Sequence, residues 1–229
     1  MKVLAIESAS VTASCAVAAD GNLLGEYTLN HKKTHSEKLM PLIEELMEEL
    51  ELKIHDIDVI AISEGPGSYT GLRIGAAIAK SLAFAAKIPI AGVPTTKSLA
   101  GNILDTDKLI VPVMDAKAGR IYTGIYRWSH GTLSEVMKQF PCNINELIDI
   151  LNDYEDTIVF NGDGSVSYKN VFEQKINRTA YFAPGNFNYL CASTLASLGY
   201  EMALNGELVN ASDFKPQYLR LSQAERNRV

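Results

Sequence analysis

The stretch GPGSYTGLRIG, residues 65–75, decides how this chain folds. It follows the apolar run IDVIAIS, residues 57–63, and precedes AAIAKSLAFAA, residues 76–86, which is rich in small apolar side chains. A short apolar run bounded by glycine and proline is typical of a buried strand, whereas the longer segment has the length and composition of a helix. We therefore predict a buried strand, a tight glycine-rich turn and a helix, as in α/β proteins.

The composition is that of an ordinary globular chain. The 229 residues are 47% hydrophobic and 21% charged, which suits one large domain or two smaller lobes. The net charge of -6 does not provide the basic field that non-specific binding to phosphate backbones requires. We therefore expect any RNA or DNA partner to be held mainly by another subunit.

The cysteines and the apolar segments indicate a protein of the reducing cytoplasm. The three cysteines are far apart and form no CxxC pair, so neither a disulfide framework nor a zinc site is predicted. They are Cys15, Cys142 and Cys191. Glu7 interrupts the N-terminal apolar stretch, which argues against a signal peptide. Two lysines and a proline between residues 80 and 89 interrupt the best candidate for a membrane span, so no membrane association is expected.

The first half of the chain predicts the order βββαβαβα. The runs VLAIES, SCAVAA and NLLGEYTL predict a three-stranded meander, in which Asp20-Gly21-Asn22 forms a tight turn. Thr34 and Glu37 then form a plausible capping box before an amphipathic helix, near whose start lies Pro41. The apolar stripe of this helix is Leu39, Leu42, Ile43, Leu46, Met47 and Leu50. The strand PIAGV and a helix over residues 96–102 complete the half.

The second half repeats the first. KLIVPVMD, RIYTGIYRW and LSEVMKQF predict three strands, INELIDIL a helix, and TIVFNGDG a buried strand that runs into a glycine-rich turn. Glu7 and Asp115 end corresponding strands, and Gly65 and Gly162 begin corresponding turns. This repeat predicts two similar α/β lobes, residues 1–104 and 105–229, with the last segment packing back on the first lobe.

The glycine-rich stretch has two interpretations, which the sequence leaves open. Backbone N–H groups at a helix start attract anions, so the loop could hold a nucleotide phosphate. The weak candidates for such a site are Glu7, Ser8, Gly65, Gly67, Ser68 and Asp115. Against it, the Walker pattern is absent, Pro66 removes a donor, and IESASVTASC lacks the glycine that would admit phosphates. Alternatively, the glycines serve a tight turn in which Thr70 caps the helix.

Other catalytic and metal sites are poorly supported. Ser68 does not have the GxSxG spacing of a nucleophile elbow. His31 and His35 are four residues apart, but no third ligand accompanies them, so solvated histidines are the better interpretation. No catalytic residue and no metal site are therefore predicted.

The helix after the loop carries a strip of small residues. Gly71, Gly75, Ala79 and Ala83 recur every four residues, which lets another element approach closely. A glycine inside a helix costs about 0.5–1 kcal/mol relative to alanine, so Gly75 requires a compensating contact. The sequence leaves open whether the strip packs on the helix of residues 39–50 or on a partner helix.

Six stretches together resemble the TsaB family, and they span residues 4–220. They are LAIESAS, HSEKLMP, GPGSYTGLRIG, IPIAGVPT, MDAKAGRIY and KPQYLR. The resemblance implies two lobes of the actin/hexokinase-like (duplicated ribonuclease H-like) ATPase fold, with a βββαβα core in each. It also implies a non-catalytic partner of TsaD, the subunit that transfers threonylcarbamoyl to the adenosine beside the anticodon in tRNAs reading codons that begin with A.

The resemblance further implies partners and an interface. The expected partners are a TsaD-like catalytic subunit, a TsaE-like ATPase, a second copy of the chain when it is alone, and tRNA contacted mainly through the complex. ATP or ADP with magnesium is expected at most weakly, or at the partner interface. The implied interface comprises the helices of residues 36–50 and 71–87, with Leu39, Leu42, Ile43, Leu46, Met47, Gly71, Leu72, Gly75, Ile78, Ala79 and Leu82.

The chain departs from related patterns at several positions. Glu7 stands where an aspartate is usual, and Lys117 and Arg120 stand in a motif that more often carries Arg and Glu. The metal-binding histidine pair of TsaD-like chains is replaced by PTTKSLAG. The alternative hypothesis is an autonomous small-molecule kinase or ATPase of the same fold, and a peptidase is a distant third.

Overall fold

The structure, a computed structural model, describes residues 1–30, 35–104 and 106–219. Within these ranges the chain forms two compact units. The first contains Met1–Ser98 and the described residues from Leu190 onward, and the second contains Leu99–Tyr189. The division therefore falls earlier than the residue 104 expected from the repeat. One reason is that Leu99 already belongs with the second sheet, since Asn161 Nδ2 donates to its carbonyl at 2.7 Å.

The described secondary structure comprises ten strands, seven α-helices and two short 3-10 turns. The strands are β1 Lys2–Glu7, β2 Thr12–Ala19, β3 Asn22–Asn30, β4 Val59–Gly65, β5 Ile90–Pro94, β6 Leu109–Asp115, β7 Arg120–Ser129, β8 Thr132–Asn143, β9 Ile158–Asn161 and β10 Ala180–Phe182. The helices are α1 His35–Glu49, α2 Tyr69–Ala86, α3 Thr95–Ala100, α4 Ile144–Asn152, α5 Asp163–Ser167, α6 Lys169–Lys175 and α7 Ala192–Leu204. The 3-10 turns are Ile54–Asp56 and Gly185–Asn188.

The two sheets have the same topology, which confirms the predicted fold class. The first has the order β3-β2-β1-β4-β5, and the second has the equivalent order β8-β7-β6-β9-β10. In each, the first strand pairs antiparallel with the second and parallel with the fourth. The meander and its turn are also confirmed, since β2 and β3 pair antiparallel up to Ala19 and Asn22.

The first sheet is covered on both faces by helices. Ile6 and Ile62 share a core with α1 and α2, whereas Ala5 and Ala61 on the opposite face share one with α7. Alternate residues of a strand point to opposite faces, so these strands are apolar throughout. Helix α7 was not predicted. It packs closely, because a Cβ added at Gly199 would lie 2.4 Å from the Cβ of Ala61.

Polar side chains of the first sheet hold the N-terminus of α7. Ser14 Oγ accepts from Ala192 N at 3.2 Å, and Glu26 Oε1 accepts from Ser193 N at 3.1 Å. The first N–H groups of a helix have no partner within it, and a carboxylate there also interacts favourably with the helix dipole. These bonds fix the last described helix to the first strands of the chain.

The second unit has its main core on one face of its sheet and a smaller cluster, which includes Ile110 and Tyr126, on the other face. Phe160 stacks on Phe172 and Phe182, with ring centroids 4.5 and 5.4 Å apart. Helix α4 adds Leu147 and Leu151, both fully buried. Its sequence prediction was correct, and Asn143 forms a capping box with Glu146 at its start. In the part of the chain that the structure describes, no helix has the length and apolarity needed to cross a membrane.

Candidate functional site at the first strand-to-helix junction

The stretch of residues 65–75 forms the predicted junction between β4 and α2. The peptide between Gly65 and Pro66 is cis, and α2 begins at Tyr69. The helix cap is Ser68, whose Oγ accepts from Gly71 N at 3.2 Å. The prediction of Thr70 as the cap was therefore wrong. Thr70 lies two residues after the cap, in the first turn of the helix, where it is exposed.

The glycines of the junction are required by the segment that follows β1. A Cβ added at Gly71 would lie 2.1 Å from the carbonyl oxygen of Ser8, and one at Gly75 would lie 2.2 Å from Ser8 Oγ. A Cβ at Gly67 would lie 2.3 Å from the carbonyl oxygen of Ala9. No side chain fits at such distances, so the small residues admit this segment rather than a helix. The question left open by the sequence is answered for Gly71 and Gly75.

Three backbone donors of the junction are bonded within the protein. Ser68 N donates to Ala9 O at 2.7 Å, and Gly65 N donates to Thr95 Oγ1 at 3.1 Å. The third, Gly71 N, donates to Ser68 Oγ. Beside Gly65, where φ is 121°, the carbonyl oxygen of Gln217 occupies the space of a Cβ at 2.2 Å. A phosphate cradle needs N–H groups aimed at open space, so these three donors are not available to the phosphates of ATP or ADP.

Glu7 lies beneath the junction as a buried carboxyl group. It is fully buried at the end of β1, where Oε1 accepts from Ala9 N at 2.7 Å and Oε2 accepts from the hydroxyl of Ser63. Burial favours the uncharged form and raises the pKa of Glu7 to about 7, although these hydrogen bonds lower it. The group can hold or release a proton near neutral pH, but it has no exposed surface for a substrate or a metal ion.

Ser8 also belongs to this cluster and is buried. Its hydroxyl donates to Gly71 O at 2.9 Å, which joins the segment after β1 to the first turn of α2. The structure thus brings together five of the six predicted nucleotide candidates, Glu7, Ser8, Gly65, Gly67 and Ser68. Their hydrogen bonds are with one another, with neighbouring backbone groups, and with the hydroxyl groups of Ser63 and Thr95.

Asp115, the sixth candidate, belongs to the second unit. Its Oδ1 accepts from Lys117 N at 2.8 Å, and its Oδ2 lies 3.3 Å from Lys117 Nζ. Its own N–H donates to Asp163 Oδ1 at 3.0 Å. Lys117 and Ala118 have φ angles of 65° and 56°, so the carboxylate supports a left-handed turn before β7. These contacts agree with the role of a turn residue, which is common for an acid at a strand end.

The structure places most residues of the predicted partner interface in the core of the first unit. Eight of the eleven residues are buried within the first unit, so they offer little surface to a partner. These are Leu39, Ile43, Leu46, Met47, Gly71, Leu72, Gly75 and Ala79. The apolar face of each helix is directed at the sheet, because burial there stabilises the fold by roughly 1.5–3 kcal/mol per large side chain. Leu42, Ile78 and Leu82 are half-buried and do reach the surface.

A second stripe of α2 is open to solvent beside α1. It contains the half-buried Ile74 and Ile78 and the exposed Ser81 and Ala85, at positions i, i+4, i+7 and i+11. Ile74 and Ile78 pack at the margin of the core that α1 completes. We call these four residues, with Leu42 and Leu82, the α1–α2 stripe. It retains the helices that the sequence predicted for the interface, with a different face.

The structure also shows a side-chain cluster that sequence reasoning missed. The rings of Tyr69 and Tyr218 have centroids 4.9 Å apart and are inclined by 38°. Arg73 lies over the Tyr69 ring, 5.5 Å from its centroid, and its Nη1 donates to the tyrosine hydroxyl at 3.1 Å. Both tyrosines come from stretches quoted in the family resemblance, but nothing local to either stretch indicates that they meet.

Metal ligands and thiols form no site among the described residues. No group of three or more His, Cys, Asp or Glu side chains in residues 1–30, 35–104 and 106–219 is placed to hold a metal ion. His31 and the side chain of His35 lie outside what the structure describes. The three cysteines form no disulfide bond with one another, and burial raises the pKa of the Cys15 and Cys142 thiols to about 12.

The equivalent strand orders of the two sheets define an α/β protein built from two similar units. The model of the family "TsaD: tRNA N6-adenosine threonylcarbamoyltransferase" matches residues 22–228. The protein TsaB of Bacillus subtilis, named for tRNA threonylcarbamoyladenosine biosynthesis, is 32% identical over 225 residues, covering 98% of this chain and 96% of that one. The chain belongs to this TsaB family within the group that the TsaD model describes.

Two further comparisons agree with this assignment. TsaB of Escherichia coli is 25% identical over 228 residues, which cover 96% of this chain and 95% of that one. The solved structure of YeaZ from Pseudomonas aeruginosa superposes with a TM-score of 0.83 at 23% identity, covering 95% of this chain and 99% of that one. The latter likeness shows that the two proteins share their fold across nearly their whole length.

The contact between Ser8 and Gly75 predicts a coupling between two substitutions. Gly75→Ala is expected to lower the free energy of unfolding by about 1–3 kcal/mol, because the new methyl group meets Ser8 Oγ. Ser8→Ala alone removes one hydrogen bond, worth about 1 kcal/mol. In the double variant the new methyl group lies 3.4 Å from Cβ of residue 8, an ordinary contact, so the double variant is expected to be more stable than Gly75→Ala.

Urea denaturation of the three variants measures this coupling. Gly185→Ala is the matched control, because a Cβ there meets no atom within 4 Å. If the two effects were simply additive, the proposed contact would be absent.

The buried carboxyl group of Glu7 predicts a pH dependence of stability. Its pKa is about 7 in the folded chain and 4.5 in the unfolded chain, so the folded state binds the proton more tightly. Stability from this group is therefore full below about pH 4.5 and is lost as the pH rises to about 7. Glu7→Gln mimics the protonated form and should gain roughly 3 kcal/mol relative to wild type across that interval.

Unfolding of wild type and Glu7→Gln in parallel, at several pH values between these limits, provides the measurement. Other titrating groups contribute equally to both proteins and cancel in the difference. Parallel pH profiles would show that folding does not raise the pKa of Glu7.

Proposed function

We propose that this chain is a non-catalytic subunit in the formation of threonylcarbamoyladenosine beside the anticodon of tRNAs reading codons that begin with A. Its role is to dock a TsaD-type catalytic homologue. Family membership over almost the whole chain supports the pathway. The docking role is supported by the α1–α2 stripe.

The observation that carries the non-catalytic assignment is the closed junction. In this fold a nucleotide's phosphates require open glycine loops, whereas Ser8 and Ala9 lie against the glycines here. The acid that ends β1 is fully buried and is bonded to Ser63 and Ala9. No step of the proposed function passes through ATP, ADP or magnesium at this junction. Any nucleotide that the complex uses is assigned to the partner interface or to another subunit.

The docking surface, the α1–α2 stripe, combines small side chains with neighbouring half-exposed aliphatic side chains. Ala85 and Ser81 allow close approach, while Ile74, Ile78 and Leu82 still have apolar area to bury. Completing the burial of one half-exposed aliphatic side chain is worth roughly 1 kcal/mol. A helix pair with such a face suits a four-helix arrangement with an equivalent pair from another chain.

The α1–α2 stripe also accounts for one further partner, a second copy of the chain. A second copy of this chain carries the same stripe, so we propose a homodimer when the catalytic homologue is missing. A TsaE-type ATPase joins the complex, and tRNA is held mainly by the assembled subunits, since this chain is acidic overall. The site of action is the cytoplasm.

Ser81→Arg tests the docking surface. Ser81 is exposed, so the substitution should leave the fold intact, while the charged side chain prevents close packing in the stripe. We expect association with the TsaD-type homologue to weaken at least about tenfold, which corresponds to about 1.4 kcal/mol, and threonylcarbamoylation of tRNA to fall with it. Sedimentation velocity and a transfer assay give the two measurements.

Ser167→Arg is the matched control, because it makes the same change at an exposed helical position of the second unit. Its association and activity should equal those of wild type. Full association by Ser81→Arg, with an unchanged circular dichroism spectrum, would place the docking surface elsewhere.

Titration of the isolated chain with ATP and magnesium separates this proposal from an autonomous kinase or ATPase. We expect no micromolar binding, because the junction donors are bonded internally. Tight binding accompanied by turnover in the absence of any partner would favour the enzyme.

A further inference from the structure

The cluster of Tyr69, Arg73 and Tyr218 forms a surface with the chemistry of a stacking platform. Tyr69 and Tyr218 are 40% and 44% exposed, so part of each side chain is open to solvent. Arg73 is exposed as well and lies over one ring. Its guanidinium group carries five N–H donors. One of them, on Nη1, donates to the Tyr69 hydroxyl. We call these three residues the tyrosine platform.

The platform is held in place by backbone contacts on both sides of it. Gln217 N, next to Tyr218, donates to Glu64 O at 2.6 Å. Further along α2, Lys80 Nζ donates to the carbonyl oxygens of Ser212 and Phe214 at 3.2 and 2.9 Å. The two rings are therefore preorganised, and a ligand that stacks on them does not have to order the chain.

The platform and the α1–α2 stripe lie on different flanks of α2. At 100° per residue, the positions of Tyr69, Arg73 and Lys80 are separated from those of Ile74, Ile78 and Ser81 by about 130° around the helix axis. A ligand on the platform therefore does not compete with a helix pair docked on the stripe, and each surface can be altered by itself.

The charge of the chain is distributed unevenly along the sequence. Residues 215–229 contain four basic side chains and one acidic one, Lys215, Arg220, Arg226, Arg228 and Glu225, a net charge of +3. The whole chain has 21 basic and 27 acidic residues, so residues 1–214 have 17 and 26, a net charge of -9. The stretch of sequence that contains Tyr218 is therefore basic, and a basic stretch with an exposed aromatic side chain matches a ligand with negative charges and flat apolar groups.

We propose that the tyrosine platform binds an unpaired segment of RNA, with a base stacked on the tyrosine rings and Arg73 contacting a neighbouring phosphate. Stacking on aromatic side chains combined with cationic contacts to the backbone is the general mode of single-strand binding. This inference rests on the proposed function, because a tRNA anticodon loop supplies such a segment. An acidic segment of a partner protein would use Arg73 and the basic residues but would not need the ring faces.

The test measures binding of a fluorescein-labelled anticodon stem-loop RNA to the full chain by fluorescence anisotropy. At about 50 mM salt, wild type is expected to bind with a Kd on the order of 10⁻⁴ to 10⁻⁶ M. Tyr218→Ala should weaken binding about five- to hundredfold, since one stacked base is lost, and Tyr218→Phe should stay close to wild type. Arg73→Gln should reduce the slope of log affinity against log salt by about 1.

Tyr181→Ala is the control, because it removes an exposed tyrosine from the second unit. The proposal is overturned if wild type does not bind the RNA, or if Tyr218→Ala binds it as wild type does. It is also overturned if Tyr218→Ala impairs association with the TsaD-type homologue and leaves RNA affinity unchanged. Ser81→Arg should retain full RNA affinity, so failure of the docking proposal and failure of this one give different results.

Discussion

The first unit depends on one close approach, that of the backbone after β1 to the first two turns of α2. The carbonyls of Ser8 and Ala9 occupy positions that a side chain at Gly67 or Gly71 would need. Because of this contact, α2 packs closely against the ends of β1 and β4, and Glu7 is buried between α2 and the sheet. The glycine-rich stretch is therefore explained by packing inside the unit, and the burial of a carboxyl group is its electrostatic consequence.

Helix α2 presents three surfaces with separate roles. The face of Gly75 and Ala79 contacts the sheet, the α1–α2 stripe borders α1, and the flank of Tyr69 contacts the segment around Tyr218. Only a helix whose inner face carries small residues can lie this close to the strands. Its outer side chains are then displayed at defined positions, as the proposed docking role requires.

The order and type of most elements follow from periodicity, because the stripes of α1 and α4 and the apolar strands are local patterns. Periodicity does not predict which element packs on the strip of Gly71 and Gly75. A helix face of small residues accommodates the end of a strand as well as another helix. Helix α7 lacked a predictive signal, because its residues are mostly small and apolar and its cap comes from Ser14 and Glu26, far away in sequence. The pairing of Tyr69 with Tyr218 is equally non-local.

The return of the chain to the first unit at Leu190 has a consequence for the order of folding during synthesis. Val3, Ala5 and Ala61 are buried against α7, which leaves the ribosome only after the whole second unit. The second unit is continuous, so it can fold while one apolar face of the first sheet is still uncovered and open to chaperone binding or aggregation. The first unit is thus begun before the second unit and completed after it.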